Sequence, residues 1–150
     1  MQFALCGVSA LAALRAARQG LTGKKGIPKE RELLLPPDPG PGRKRFTPKL
    51  LAGMSVGSWR VPQARVLEVA VLDQRERLQA KGVSCKVFSQ PAMQHAFVSL
   101  GEGVQASSPE LLFIEMAQVM PLMNLVLLGC ELCGSFSRDP ADPHDGDVAY

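Results

Sequence analysis

The feature that most constrains this chain is a proline, Pro121, set inside an apolar run that extends over residues 116–130. Proline lacks the amide donor and clashes with the preceding turn, so a helix through this run ends or kinks there and a second one follows. The first helix is announced by Ser108 and Pro109, an N-cap followed by a residue whose missing N–H would be unsatisfied anyway. Ser107 and Glu110 also fit a capping box, which moves the start by one residue. Leu111, Leu112, Ile114, Met116, Val119 and Met120 then make a broad apolar surface, with Glu115 and Gln118 predicted on the wet side. The second helix takes in Leu122, Leu125, Val126, Leu127, Leu128 and Leu132, and Gly134 is its expected stop. Gly129 inside it costs about 1 kcal/mol against alanine. Interrupted by Gln118, Pro121 and Asn124, the run falls short of the roughly 20 residues a membrane-spanning helix needs. Two such helices are a packing device, not a reaction centre.

With 150 residues, 46% of them hydrophobic, the chain can bury one ordinary core. Its net charge of +3 hides an asymmetry: residues 1–60 hold 11 Lys/Arg against 3 Asp/Glu, and residues 61–150 hold 6 against 11. A basic first part can meet nucleic acid, an acidic partner or the acidic half of its own chain, or simply be a solvated segment. Residues 3–14 could pass for a signal-peptide core, but the positive charges, Arg15 and Arg18, follow it instead of preceding it. Cys6, Cys85, Cys130 and Cys133 make no disulfide framework in a chain of this size and fit reduced, cytoplasmic thiols.

Four parts follow from the pattern. In residues 1–20, Ser9 is the expected cap of a helix over 10–19, with Gly20 as the stop, Leu11 and Leu14 toward a core and Arg15 and Arg18 on the other side. Residues 21–62 hold seven of the 12 prolines and read as a basic Pro/Gly-rich connection, with short helical turns near 29–35 and 48–54. Residues 63–138 form the core: strands over 65–72 and 83–88, a helical turn within 73–80, a hairpin of 96–100 and 104–107 turned at Gly101–Gly103, and then the helix pair. Residues 139–150 are an acidic turn running into Val148, Ala149 and Tyr150, which look like the start of a further strand, so the chain reads as the front of a longer protein. The expected fold is α/β (α+β): a small mixed sheet of about four strands, packed by the helix pair at 108–133 and the helix at 10–19.

Few residues offer chemistry. Cys130 and Cys133 form a CxxC, but a zinc half-site needs two further ligands, and Cys6, Cys85, His95 and His144 are not paired at short spacing. A redox pair wants a helix start, whereas this one falls at a helix end, which favours buried structural cysteines. Asp139, Asp142, Asp145 and Asp147 with His144 miss the calcium-loop spacing, and His95 has no nucleophile in an elbow-like context. No glycine loop suits a phosphate and no cofactor motif is present, so no catalytic residue, metal site or cofactor is expected. Arg43, Lys44 and Arg45, with Lys24, Lys25 and Lys49, are the candidates for contact with a DNA or RNA backbone. Phe46 and Trp59 beside them are better read as anchors of the loop than as base-stacking platforms.

The helix at Ser9, the strand at 83–88 and the run from Val104 through Ser108-Pro109-Glu110-Leu111 to Phe113 resemble the AbiEi-type antitoxin family of bacteria. The chain is similar in particular to actinobacterial, largely coriobacterial, members that join such a region to a restriction-endonuclease-like domain. Their Ser-Pro-Glu-Leu run, Leu-Gly pair and Glu-Leu-Cys-Gly with a polar tail correspond here to Ser108–Leu111, Leu128-Gly129, and Glu131, Leu132, Cys133 and Gly134 through Arg138. The resemblance implies a non-catalytic N-terminal module of an endonuclease-related bacterial defence protein, supporting DNA or partner recognition. It also admits a protein-binding antitoxin of a type IV pair, with a cognate toxin as partner. A third implication is a DNA nuclease whose carboxylates lie beyond residue 150. None of the three involves a membrane.

Overall fold

The computed structural model describes residues 2–18, 30–38, 55–56, 59–60, 66–89 and 95–133. Strand β1 (Phe3–Leu5) leads directly into helix α1 (Gly7–Arg18). A two-stranded antiparallel ladder, β2 (Ser55–Val56) with β3 (Trp59–Arg60), interrupts the Pro/Gly-rich connection. There follow β4 (Leu67–Val71), a 3-10 turn (Gln74–Glu76), β5 (Val83–Val87), β6 (Phe97–Gly101) and β7 (Val104–Ser107). Helices α2 (Pro109–Ala117) and α3 (Leu122–Leu132) complete the described chain.

The main sheet is mixed, five-stranded and ordered β5-β4-β1-β7-β6, so the fold is α+β as the pattern of elements predicts. β4–β5 and β1–β7 pair in parallel, β1–β4 and β6–β7 antiparallel. Its central strand, β1, was not among the expected elements. Three residues long and followed at once by a helix, it shows no alternation that a sequence pattern could reveal. Helix α1 accordingly begins at Gly7 and not after Ser9, whose hydroxyl instead accepts the Glu68 N–H at 3.0 Å. The β6–β7 turn falls where the glycines place it. Glu102 and Gly103 both have positive φ, 53° and 79°, the type I′ geometry that suits a two-residue hairpin.

Alternation along the strands gives the sheet two buried faces. Phe3, Leu5, Leu67, Val69, Val71, Val98, Leu100, Val104 and Ala106 lie on the face packed by the three helices, against Ala10, Leu14, Leu112, Met116, Leu128 and Leu132. Ala4, Cys6, Ala70 and Phe97 make a smaller cluster with Leu34 and Leu111 on the second. Residues 30–38 cross that second face as an extended strap, bridged to the sheet at Glu32–Phe97 and Gln2–Asp38. The helical turn expected at 29–35 is therefore replaced, over its described part, by extended backbone. The turn expected at 48–54 lies outside the described residues. Gln105 fastens the strap: its Nε2 donates to Glu32 Oε2 at 2.8 Å and the Leu33 carbonyl at 2.9 Å, and its Oε1 accepts the Leu35 N–H at 3.0 Å.

The helix pair forms where Ser108, Pro109 and Pro121 place it. The Ser108 hydroxyl accepts the Leu111 N–H at 3.3 Å, Pro109 opens α2, and Pro121 sits in extended backbone between the helices. Their faces, however, differ from expectation. Glu115, predicted on the wet side, turns inward, and Arg15 of α1 points to α3 instead of away from the core. Ile114 and Val119, on the apolar surface expected of the first helix, and Leu122, Val126 and Leu127, apolar residues of the second, are exposed. A helix that is apolar on all sides gives no clue to which side is covered.

Candidate interaction surface

Two places gather functional groups, and the first is the start of α1. Gly7 takes φ +53°, and a Cβ there would collide with the Glu68 carboxylate. The bare backbone lets two carboxylates reach the first amides of the helix: Gly7 N–H donates to Glu115 Oε2 at 2.9 Å and Val8 N–H to Glu68 Oε2 at 2.6 Å. Helix N-termini attract such groups because their amides lack partners and the dipole favours negative charge. Lys86 Nζ lies 3.1 Å from Glu68 Oε1. Burial pulls the Lys86 ammonium down, but the Glu68 hydrogen bond and the charges around it, those of Glu68 and Glu115 among them, together outweigh this and leave it raised. Burial pushes the Glu115 carboxyl up, more than the Gly7 amide pulls it down. Burial, then the Glu115 charge, push the Cys6 thiol well above its ordinary range, so it stays protonated and is no nucleophile. These groups cap a helix and close a sheet end. Among the described residues, no three His, Cys, Asp or Glu side chains converge to hold a metal ion.

The second place is the α2–α3 hairpin. Charge is absent from residues 116–130, and the two glutamates that flank them both point inward. On α3 the only charged residue, Glu131, is buried and takes a two-pronged contact from Arg15, Nε to Oε1 at 2.6 Å and Nη2 to Oε2 at 2.7 Å. The polarity of the helix is thus inverted, its charge facing the protein and its apolar side chains facing water. Leu122 is 74% exposed, Met123 71%, Val119 68%, Ile114 53% and Val126 50%. At 100° per residue, Leu122, Met123, Val126, Leu127, Cys130 and Cys133 share one outward stripe. Beside it a groove of about 500 Å³ opens between the helices, floored by Phe113, Ile114, Gly129 and Leu132 and rimmed by the Arg31–Glu110 ion pair. Gly129 is what lets the Phe113 ring lie against α3, since a Cβ there would stand 3.1 Å from it.

The predicted site residues divide accordingly. Lys24, Lys25, Arg43, Lys44, Arg45 and Lys49 lie outside the described residues, as do Gly134, Arg138 and the acidic turn with His144. Of the motif residues, Ser108 and Pro109 start α2, Glu110 rims the groove, Glu131 and Leu132 are buried, and Cys133 is exposed. Cys130 is half-buried and also free, so the expected burial of the pair fails at Cys133. His95 is exposed. Sequence reasoning missed Glu68, Lys86 and Glu115 as a group because they are brought together only by the sheet. It missed the bare face because helices apolar on so many sides do not say which side is covered. No family model, curated protein or solved structure matches the chain.

Among the described residues no helix is long and apolar enough to cross a membrane.

Proposed function

We propose that this chain is a non-catalytic recognition module, the N-terminal part of an AbiEi-like, endonuclease-related bacterial defence protein, and that it works by protein contact. The observation that supports this reading is the inverted polarity of α3, whose single charge is used internally while its outer stripe is uncharged and bare. Monomeric proteins rarely leave a large apolar patch in water without a partner to cover it. Replacing Leu122 and Met123 together by lysine tests it. The exposed positions predict an unchanged far-UV spectrum, with a marked change in self-association, hydrophobic-dye binding or solubility. A variant indistinguishable from wild type in all three would sink the reading, because the face would then be ordinary surface.

The charge asymmetry favours a second contact, with DNA, through Lys24, Lys25, Arg43, Lys44, Arg45 and Lys49. Each phosphate neutralised releases counterions, so affinity should fall steeply with salt. Replacing Arg43, Lys44 and Arg45 by alanine should reduce the slope of log K against log salt by about 2–3. Salt-insensitive, equally weak binding by both proteins would remove DNA and leave the protein-binding antitoxin as the form of the reading that stands.

A further inference from the structure

Resting on the reading of the α2–α3 hairpin as a contact surface, we infer that its partner is a second copy of this chain, packed α3 against α3 about a two-fold axis near Val126. The size of the face points there first. Phe113, Ile114, Val119, Leu122, Met123, Val126 and Leu127, all exposed, leave on the order of 700 Å² of apolar side chain in water. Summed over the hairpin, that approaches the about 800 Å² that each partner gives to a standard interface.

Charge is the second argument. A two-fold interface sets the same patch against itself, so any charge in it meets its own copy near the axis. Residues 116–130 contain none, and Glu115 and Glu131 on either side are turned into the protein. Two copies can therefore close over this face without opposing like charges. A charged partner would find nothing here to complement. A lipid surface fits worse: an interfacial helix sets Lys or Arg on its polar side, and α3 has neither.

The third argument is shape. The stripe of Leu122, Met123, Val126, Leu127 and Cys130 repeats at intervals of three and four residues, the spacing by which one helix seats its side chains between those of another. Val126 is at its middle, so two antiparallel copies of α3 crossing there would bring Leu122 of each beside Cys130 of the other.

Sedimentation equilibrium of the whole 150-residue chain over a wide concentration range is the test. The expected result is a dimer that Val126→Asp, by placing two carboxylates at the axis, converts to monomer with at least a tenfold weaker self-association. Leu122→Lys with Met123→Lys should do the same, and since both side chains are already largely exposed it guards against a folding defect in the first variant. A wild-type chain monomeric at every concentration, or a dimer that neither variant weakens, overturns the proposal. Dye binding by a monomeric wild type then separates the two failures. A monomer that binds dye, and loses it on lysine substitution, still has a bare contact face for another protein. A monomer that binds none has lost the contact reading as well.

Discussion

Glu115 shows how one buried atom can set a pH dependence. Its Oε2 accepts the Gly7 amide at 2.9 Å, while its Oε1 is buried beside the Ser107 hydroxyl. Burial raises the carboxyl above its ordinary 4.5, so the folded state holds the proton more tightly than the unfolded chain does. The linkage has a definite sign: the stability that Glu115 contributes is greatest below 4.5, and is lost as pH rises from there through its folded value, because the unfolded chain gives up its proton first. Glu115→Gln keeps an oxygen for the Gly7 amide and cannot ionise. Near neutral pH it is expected to be more stable than wild type, the difference closing below 4.5, as read by urea midpoints across pH. A glutamine variant that is less stable at neutral pH would mean that Lys86 and the helix end favour the charge more than burial opposes it. None of this is legible in the sequence, where Glu115 stands among apolar residues and looks like the helix's solvent side.

At the scale of elements, the helices were legible and their orientation was not. Ser108, Pro109 and Pro121 act through the backbone within a few residues, which is why start and break fall where the sequence puts them. What turns α3 is Arg15, 116 residues away in the chain, and no local pattern holds that information. The pair fixes α3 by its one charge, with Glu131 1% and Arg15 37% exposed. Removing Arg15 would take its two-pronged contact from a buried carboxylate, and breaking a buried pair typically costs about 3–5 kcal/mol. Arg15→Met, which keeps much of the apolar stem, is expected to cost about 3 kcal/mol in chemical denaturation, discounted for the half-exposed guanidinium. Glu131→Gln in the same background should recover part of that loss, because the buried charge that lost the Arg15 contact is gone. A double variant no more stable than Arg15→Met would show that geometry, and not charge burial, governs the cost.

Over the described residues, the main sheet is covered twice, by helices on one face and by a strap on the other. The helix-covered face followed from alternating strands and apolar helices. The strap did not, since residues 30–38 bond to the sheet at scattered points, and proline and charge give that segment the look of a connection with a helical turn. One side chain from the middle of β7 joins the two layers: Gln105, 1% exposed, meets the strap at Glu32, Leu33 and Leu35. Gln105→Leu fills the same space but leaves the Leu35 amide and the Leu33 carbonyl without their partner, at about 2 kcal/mol in all for groups only partly cut off from water. If the strap is a separable layer, the loss will be local. Hydrogen exchange should quicken first at the Glu32 and Asp38 amides, which bond to Phe97 and Gln2 at 2.8 and 2.7 Å. The amides of β1 and β4 should change only as far as global stability does. Uniform quickening across strap and sheet would show instead that the second face cannot open alone, and that Leu34 and Phe97 bind the strap into the same cooperative unit as the helices.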